Sequence, residues 1–238
     1  MSKGTIDDIY GKAILDYLKG KKEVLNTFSS VAGQDELPLT HLFRSFEEMP
    51  ELEQKALQLC QGKILDVGCG AGSHSLYLQE KNFDVRSIDI SKGAIGACKF
   101  RGIKKACQQD IWLLKDEKYD SIISLMNGIG ICGTLDNLPG FLIHLKSLLH
   151  PGGQILIDSS DIIYMFQDEN GSYDVPTEGK YYGEVTFHFT YKKQKGHEFN
   201  WLYMDYSRLA AYATQAGFSC EKICDGVHYD YLARLSLE

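Results

Sequence analysis

The residues best suited to chemistry are three glycines at alternate positions, Gly68, Gly70 and Gly72. They follow a short apolar run that contains Asp66 near its end, and a helical pattern begins at Ser73. This order predicts a buried strand that turns sharply into a helix, where missing side chains let the backbone approach a ligand closely. Glycine stands at the first, third and fifth positions, whereas dinucleotide binding needs it at the first, third and sixth. The segment therefore predicts binding of a nucleoside-containing small molecule and disfavours a dehydrogenase.

Four further segments form an ordered series with this glycine loop. The first two each end an apolar run in an acid, Asp89 and Asp110. The third has an aromatic-Asp pair before apolar residues, and the fourth contains Leu-Leu-His-Pro-Gly-Gly. The segments are residues 83–91, 106–111, 118–127 and 148–158. In kind and order the five motifs, which cover roughly residues 62–160, resemble those of the class I S-adenosylmethionine-dependent methyltransferases.

The resemblance implies S-adenosylmethionine as the cofactor and assigns roles along the motifs. In that family the acid that ends the second strand, here Asp89, accepts hydrogen bonds from both ribose hydroxyls. A carboxylate suits this task because its two oxygens take two adjacent donors at once. The acid of the third strand, here Asp110, meets the adenine amino group. The expected cofactor-binding residues are Asp66, Gly68, Cys69, Gly70, Gly72, Ser73, Asp89, Ile90, Asp110, Ile111 and Met126.

Structural explanations stay open for several members of this set. Asp66 either contacts the methionine amino group of the cofactor or only bonds to backbone amides of the loop. Asp89 and Asp110 could each cap the turn that follows them. The large apolar residues of the set either contact the adenine and the sulfonium or pack in the core; they are Ile90, Ile111 and Met126.

A methyl transfer from a sulfonium is an in-line displacement, so the cofactor carries the chemistry while the protein aligns the reactants and removes water. A base is needed only if the acceptor is protonated at the working pH. The sequence therefore names no catalytic residue. His74, in the first turn of the helix after the glycines, is a candidate base, although a histidine there more often packs or hydrogen-bonds locally.

Three residues are candidates for acceptor binding. Asn127 follows the fourth strand without the two prolines and the aromatic residue of enzymes that methylate amino groups of adenine or glutamine, so that chemistry is disfavoured. Arg44 lies between two phenylalanines and could pair with the cofactor carboxylate or an anionic substrate, or only cover apolar groups. Tyr10 could line an acceptor pocket. Further lining residues could be Tyr164, Tyr182 and Asp161.

Composition disfavours several classes of protein. With 238 residues, 44% of them hydrophobic and 24% charged, the chain is long enough for one core, or for one core with a cap. Its net charge of −7 disfavours a nonspecific nucleic-acid binder, which would carry a basic stripe. No apolar run approaches the ~20 residues of a membrane span, and residues 1–5 lack the apolar core of a signal peptide. We therefore expect a cytoplasmic protein that contacts neither membranes nor nucleic acid.

The seven cysteines are scattered and mostly lie inside apolar runs, which indicates buried free thiols in a reducing compartment. A metal site formed by Cys220, Cys224 and His228 is the alternative, but structural zinc usually has four ligands at paired short spacings. A fourth ligand is not evident, so we predict no metal.

The first 60 residues are expected to form a helical N-terminal cap. Apolar residues recur at helical spacing after a possible cap at Thr5, and Gly20 ends that pattern. Gly33–Pro38 is expected to be a loop, and Pro50 to open a second helix.

Strands and helices alternate from residue 61 to residue 238, the expected methyltransferase domain, which predicts an α/β fold with ligands at the carboxyl ends of its strands. The resemblance implies the Rossmann-like methyltransferase fold, a doubly wound, mostly parallel seven-stranded sheet. Period-two alternation in two runs, residues 185–191 and 199–203, predicts an antiparallel hairpin insert at about residues 161–204. We expect cap and domain to form one compact unit.

These features and the resemblance predict an S-adenosylmethionine-dependent methyltransferase with a small-molecule acceptor, because the surface is acidic and the cap and insert would enclose the site. One alternative is an enzyme that modifies RNA or protein, which would have a basic rim. Lys192, Lys193 and Lys195 are the obvious basic cluster. Another alternative is a non-catalytic S-adenosylmethionine-binding regulatory protein. Loss of the ribose acid or of the glycines would indicate it, and both are retained.

Overall fold

Two β-sheets and the helices around them make up the computed structural model, which describes residues 8–175 and 179–237. The α-helices are α1 (Ile9–Leu18), α2 (Glu51–Leu59), α3 (Ser73–Glu80), α4 (Lys92–Phe100), α5 (Leu138–Ser147) and α6 (Tyr206–Gln215). The strands are β1 (Leu25–Ser29), β2 (Gly33–Leu37), β3 (Lys63–Val67), β4 (Asp84–Asp89), β5 (Ala106–Gln108), β6 (Tyr119–Ser124), β7 (Leu149–Ser160), β8 (Glu184–Tyr191), β9 (Gln194–Lys195), β10 (Phe199–Leu202), β11 (Ser219–Asp225) and β12 (Asp230–Ser236). Within the described residues, no helix combines the length and apolar character that crossing a membrane would need.

The larger sheet has seven strands in the order β11-β12-β7-β6-β3-β4-β5. Neighbouring strands from β7 to β5 pair in parallel, while β12 pairs antiparallel with both β7 and β11. All strands except β12 therefore run in one direction, which confirms the predicted doubly wound, mostly parallel sheet. The chain order reverses between β3 and β6, and in such sheets a ligand-binding crevice opens at this switch point.

Adjacent residues of β3 point to opposite faces of the sheet and enter separate parts of the core. Ile64 packs with Leu57 of α2 and Leu78 of α3. Leu65 packs with Phe141 of α5 on the other face. Because both faces are covered, β3 and β6 are buried along nearly their whole length rather than at alternate positions. Two helical layers thus hold the strand ends in place.

The segment before β3 is only partly helical, so the expected helical N-terminal cap is wrong in that respect. β1 and β2 form an antiparallel hairpin within it, and most of the segment expected to be a loop is strand β2. The sequence of β2, Gly-Gln-Asp-Glu-Leu, has no apolar alternation. It pairs as a strand because its partner β1 is itself held by β8 of the insert. Tertiary pairing has overridden a weak local preference.

The antiparallel hairpin expected after residue 161 is confirmed. β8 and β10 pair with Phe187 opposite Phe199. Together with the N-terminal hairpin they form a five-stranded sheet in the order β10-β8-β1-β2, with β9 added beside β8. The N-terminal segment and the insert therefore share one sheet.

Asp8 fixes the first helix against the main sheet. Its Oδ1 atom accepts a hydrogen bond from the Gly11 amide (2.9 Å) at the start of α1. Its Oδ2 atom accepts from the Gly93 amide (2.7 Å) and the Ser91 hydroxyl (3.0 Å) at the start of α4. Thr5, the expected cap, lies outside the described residues, and Asp8 is the residue that caps α1.

We expect Gly93→Ala to lower the free energy of unfolding by about 1–3 kcal/mol, measured by chemical denaturation followed by circular dichroism. A Cβ atom on Gly93 would overlap the backbone of Gly11, so α1 would have to move away from α4.

Gly140→Ala is the matched control, because a Cβ atom on Gly140 in α5 would meet no atom within 4 Å. Its stability should be unchanged or slightly raised. A Gly93→Ala protein as stable as this control would contradict the close helix crossing.

Candidate active site

The candidate residues gather at one edge of the seven-stranded sheet, where β3, β4 and β6 end. The glycine loop follows β3, Asp89 ends β4, and Met126 and Asn127 follow β6. This edge includes the switch point between β3 and β6, the place where doubly wound sheets bind ligands.

Backbone hydrogen bonds hold the glycine loop against the end of β4. The amides of Gly68 and Cys69 both donate to the Ile88 carbonyl, at 2.9 and 3.0 Å. The Gly70 amide donates to Oδ2 of Asp89 at 3.0 Å. The loop is therefore shaped by the strand that carries the predicted ribose acid.

Asp89 keeps acceptor capacity on both carboxylate oxygens. Oδ2 accepts from Gly70, and Oδ1 accepts from the Ser91 amide at 2.8 Å, which leaves each oxygen a second lone pair. Burial raises the pKa of Asp89 to about 6, and the nearby Asp8 carboxylate acts in the same direction. The charge of Asp89 therefore changes near pH 6.

Gly72 ends the loop in the left-handed conformation, with φ of 82°. A Cβ atom there would overlap Ile103 and would lie 2.9 Å from Sγ of Cys98. Both the backbone angle and the close packing require glycine. The loop thus closes tightly onto the start of α3.

Asp66 and Ile111, two of the predicted cofactor-binding residues, are buried. Asp66 is 2% exposed, and its Oδ2 atom accepts the Ser75 hydroxyl of α3 at 2.6 Å. It therefore braces α3, and among the described residues no loop amide donates to it. Ile111 packs in the core with Phe141 of α5. Both side chains pack in the protein interior next to the edge that carries the site.

Cys69 and Ser73 also direct their side chains into the protein. The Sγ atoms of Cys69 and Cys98 lie 3.7 Å apart, and the contact with Cys98, followed by burial, raises the pKa of Cys69. The Ser73 hydroxyl donates to the Leu42 carbonyl at 2.9 Å. A ligand in the loop would meet the backbone of these residues rather than their side chains.

Ile90, Met126 and Asp110 lie at the open side of the edge. Ile90 is 70% exposed and Met126 is 37% exposed, so neither belongs to the core. Asp110 accepts from the Trp112 amide at 3.0 Å through Oδ1 and so caps the short helix that follows it. Helix capping therefore engages one carboxylate oxygen of Asp110, its Oδ1 atom.

Asp158 holds a strained turn after β6. Met126 and Asn127 both have left-handed backbone conformations, with φ of 67° and 59°, which residues other than glycine adopt uncommonly. Asp158 of β7 accepts from the amides of Met126 (3.1 Å) and Gly128 (2.8 Å). The Ser160 hydroxyl donates to Oδ1 of Asn127 at 2.8 Å. Burial raises the pKa of Asp158 to about 6. Such strain persists only where the surroundings over-determine it.

A buried charged cluster made of Arg44, Glu53 and His74 lies beside this turn. Nη2 of Arg44 contacts Oε1 and Oε2 of Glu53 at 2.8 and 3.1 Å, and it lies 3.8 Å from Sδ of Met126. Oε2 of Glu53 lies 2.7 Å from Nε2 of His74. Nε of Arg44 is buried and has no hydrogen-bond partner among the residues that the structure describes.

The ion pairs in this cluster outweigh the effect of burial on each pKa. Burial would lower the pKa of His74, but the hydrogen bond to Glu53 and the nearby carboxylates raise it overall. Burial would raise the pKa of Glu53, but His74 and Arg44 lower it overall. Because His74 is buried and bound to Glu53, its position disfavours the role of a base that reaches an acceptor.

Aromatic side chains from α1, from β8 and from the segment that contains β10 cover this edge. We call the aromatic roof the set Tyr10, Phe187, Phe189, Phe199, Trp201 and Tyr203. The ring centroids of Tyr10 and Phe189 lie 5.4 Å apart, and Phe199 lies 5.4 Å from Phe189. Phe187 continues the row, at 6.0 Å from Phe199 and 6.3 Å from Tyr203. The rings form a continuous row from α1 to the end of β10.

The aromatic roof lies close to the loops at the strand ends. A Cβ atom on Gly70 would lie 3.0 Å from the Tyr10 hydroxyl, and one on Gly130 would overlap the Trp201 ring. At the far end, burial raises the pKa of Tyr203 to about 12. Tyr10, expected at an acceptor pocket, therefore lies against the glycine loop.

Asp161 and Tyr182 come together beyond the end of β7. The Tyr182 hydroxyl donates to Oδ1 of Asp161 at 2.7 Å, and the Ile163 amide donates to the same oxygen at 3.0 Å. The Tyr182 ring lies 4.4 Å from Tyr181 and 6.0 Å from Phe166, centroid to centroid. Burial, Tyr181 and Asp161 raise the pKa of Tyr182, so its hydroxyl stays a donor.

Glu53 and Asp158 are central to the site, yet the sequence motifs did not single them out as site residues. Glu53 lies on the buried face of α2, and Asp158 directly follows an apolar run in β7. Acidic residues are seldom buried unless they are paired. An acid at a position where the pattern predicts a buried residue could therefore have identified each of these two residues. Tyr164, expected near the acceptor, stacks on Tyr229 with 4.9 Å between ring centroids.

Cys220, Cys224 and His228 do not converge. The two cysteines lie on β11, and His228 lies between β11 and β12. Among the described residues, no three side chains of His, Cys, Asp or Glu form a group that could hold a metal ion.

Comparisons with known proteins agree with this geometry. The family described as a methyltransferase domain matches residues 60–204. The crystal structure of a SAM-dependent methyltransferase from Bacteroides fragilis, in complex with S-adenosyl-L-homocysteine, is 46% identical and has a TM-score of 0.91. The match covers 98% of this chain and 96% of that one.

More distant relatives share less of the chain. YqeM of Bacillus subtilis (strain 168), a protein provisionally named a methyltransferase, is 28% identical over 132 residues. That match covers 48% of this chain and spans about half, 52%, of the curated relative's length. SAM-bound CalS10, an amino pentose methyltransferase from Micromonospora echinaspora, has a TM-score of 0.56 at 16% identity and covers 82% of this chain and 92% of that one. At that identity CalS10 shows the fold alone.

We expect Glu53→Gln to lower the free energy of unfolding by about 3 kcal/mol, because a buried ion pair that loses one partner leaves uncompensated charge on Arg44 and His74. Urea denaturation measures the change.

Glu51→Gln is the matched control on the same helix. Glu51 is exposed and pairs with Lys55 at 2.7 Å, so its variant should unfold like the unmodified protein. Equal stability of the two variants would contradict the buried cluster.

Proposed function

Since the chain belongs to the class I S-adenosylmethionine-dependent methyltransferases, we propose that it methylates a small-molecule acceptor held between the seven-stranded sheet and the aromatic roof. The observation that carries this proposal is the roof itself, which covers the strand ends with rings from α1, β8 and β10. Covered, mostly apolar clefts with a few polar groups are typical small-molecule sites.

S-adenosylmethionine is the cofactor, and when bound it supplies a methyl group activated by a sulfonium. We assign the ribose hydroxyls to Asp89, whose two oxygens each keep a free lone pair. The backbone of the glycine loop would face the methionine part of the cofactor. The exposed side chains of Ile90 and Met126 would cover its apolar surfaces.

The charged cluster fits the carboxylate of this cofactor. Arg44 and His74 share the single carboxylate of Glu53, so with His74 protonated the cluster has one positive charge in excess. The buried Nε atom of Arg44 has no acceptor among the described residues. A carboxylate near Met126 would lie close to Nη2 of Arg44 and would balance the charge.

The remaining task of the chain is to orient the acceptor and to exclude water. Asp158 fixes the turn at Met126 and Asn127 through two amide hydrogen bonds, so that wall of the cleft is rigid. The roof keeps water out and presents aromatic faces, which attract a positive charge. Alignment of this kind can account for several kcal/mol of the barrier to a displacement reaction.

Charge pairing around the insert supports a small acceptor over a nucleic acid. Lys192, a member of the basic cluster, lies 2.7 Å from Asp16 and 3.1 Å from Glu23. Lys195 lies 3.3 Å from Glu198. These lysines are neutralised locally and do not form a basic rim that would track a phosphate backbone.

We expect Asp89→Ala to weaken binding of S-adenosyl-L-homocysteine by at least about tenfold, since hydrogen bonds to an ionised acceptor are lost. Isothermal titration calorimetry measures the affinity, and circular dichroism checks that the fold is retained.

Asp84→Ala is the control at the opposite end of β4, where Asp84 pairs with Lys105 at 2.5 Å. It should bind like the unmodified protein. An unchanged affinity in Asp89→Ala would refute the ribose role.

The affinity for S-adenosyl-L-homocysteine should fall as the pH decreases through 6. The pKa of Asp89 is raised to about 6 in the free protein, and protonation removes an acceptor that the ribose hydroxyls need. Binding favours the ionised form, so the affinity is constant well above pH 6 and declines below it. Calorimetry across this range tests the sign, with Asp89→Asn as the variant in which the decline should be much smaller. A flat profile in the unmodified protein would contradict the assignment.

The acceptor class is tested by incubating the enzyme and methyl-labelled S-adenosylmethionine with cell extract that ultrafiltration has divided into small molecules and macromolecules. We expect labelled product in the small-molecule fraction. Label confined to RNA or protein would overturn the proposal.

A further inference from the structure

Asp161 is a carboxylate with one oxygen engaged and one free. Its Oδ1 atom accepts both the Tyr182 hydroxyl (2.7 Å) and the Ile163 amide (3.0 Å). Within residues 8–175 and 179–237, its Oδ2 atom accepts no hydrogen bond and no Lys, Arg or His side chain pairs with it. A carboxylate oxygen with this freedom is an available hydrogen-bond acceptor.

The backbone on both sides of Asp161 is fixed. The preceding residue, Ser160, donates through its hydroxyl to Asn127 at 2.8 Å, which ties the end of β7 to the turn after β6. The amide of Asp161 donates to the Tyr229 carbonyl at 2.9 Å. The carboxylate therefore has a defined position next to the strained turn.

That position lies across the switch point from the predicted ribose acid. Asp161 follows β7, Asp89 ends β4, and β6 and β3 lie between those two strands. Three strand spacings correspond to roughly 14 Å across the sheet. Asp161 is thus on the side of the crevice that the ribose does not occupy, as an acceptor-binding group must be.

Aromatic rings lie on one side of this carboxylate. Tyr182 contacts it directly, and Tyr181 and Phe166 lie against the Tyr182 ring. A carboxylate with a free oxygen beside aromatic rings attracts a cation and repels an anion.

We propose that Asp161 binds a positively charged amino group of the acceptor, and that the substrates are small molecules that carry a basic amine. This inference rests on the proposed function, because it names the class of small molecule that occupies the site. Tyr182 is a positioning residue, since its hydroxyl holds Oδ1 and leaves Oδ2 free to accept from the ligand.

The variant Asp161→Asn separates this role from a purely structural one. An asparagine oxygen can accept the same two hydrogen bonds from Tyr182 and Ile163, so the loop should keep its shape while the charge is lost. A structural role predicts that Asp161→Asn behaves like the unmodified enzyme.

The experiment uses the full chain and a small-molecule cell extract divided by ion exchange into cationic, neutral and anionic pools. Each pool is incubated with the enzyme and methyl-labelled S-adenosylmethionine. We expect labelled product from the cationic pool. In Asp161→Asn, the amount of that pool needed for half-maximal labelling should rise at least about tenfold, with a much smaller change in the maximal rate.

Asp174→Asn is the matched control, because Asp174 is an exposed carboxylate of the same insert and its loss changes the net charge equally. It should label like the unmodified enzyme. All three proteins should bind S-adenosyl-L-homocysteine with equal affinity. Loss of that binding in Asp161→Asn would overturn the assignment, because it would put the carboxylate in the cofactor site.

The outcomes distinguish this inference from the proposed function. Labelled product from the neutral or anionic pool alone, or an Asp161→Asn enzyme indistinguishable from the unmodified one, would overturn the amine assignment and leave the small-molecule function standing. Absence of label from all three pools, with label in macromolecules, would overturn both.

Discussion

Burial of carboxylates at the ends of parallel strands is the constraint on which the rest of the structure depends. Asp66, Asp89 and Asp158 occupy such positions on β3, β4 and β7, where water cannot solvate them fully. The protein supplies donors instead, from a hydroxyl of α3 and from amides of the loops after β3, β4 and β6. Because those amides must point at the carboxylates, the loops adopt conformations they would otherwise avoid, including the left-handed pair Met126 and Asn127. The shape of the crevice follows from where these charges are satisfied.

Two connections hold the aromatic roof over that crevice. Asp8 joins the start of α1 to the start of α4, so Tyr10 is placed beside the glycine loop. Pairing of β1 with β8 joins the N-terminal hairpin to the insert. The position of the rings is therefore determined at both ends of the row. A cleft with a fixed cover can orient its ligands without large movements of side chains, which is the main demand of a displacement reaction at carbon.

The sequence was a good guide where signals were local. The glycine spacing, the acid at the end of β4 and the proline before α2 each depend on a few neighbouring residues, and the structure has a turn, a strand end and a helix at these places. The direction of a side chain at a strand end was harder to predict, because it depends on the register of the whole sheet. The sequence therefore left the side-chain directions of Asp66 and Ile111 open, and the structure has both side chains buried.

Long-range contacts outside the seven-stranded sheet could not be predicted from the sequence. β2 has a polar sequence and becomes a strand only through a partner that is itself held by β8. The salt bridge of Arg44 with Glu53 joins two segments whose own patterns concern only local helix formation. Neither contact leaves a periodic pattern in the sequence, because each forms only when separate secondary-structure elements pack against one another. The role of His74 was uncertain for the same reason, as its partner Glu53 could not be foreseen.

The five-stranded sheet also has a consequence for the order of assembly. It pairs residue 26 with residue 190, so one of its central ladders spans most of the chain. Contacts of such large sequence separation form late in folding, because they close a long loop before any neighbouring contact compensates the lost entropy. During synthesis, β3 to β7 leave the ribosome before β8 does, and the parallel core can form while β1 still lacks its partner. The nascent enzyme therefore passes through a stage in which β3, β4 and β6, whose ends form the cofactor edge, are already paired. At that stage one edge of β1 is still unpaired and prone to aggregation.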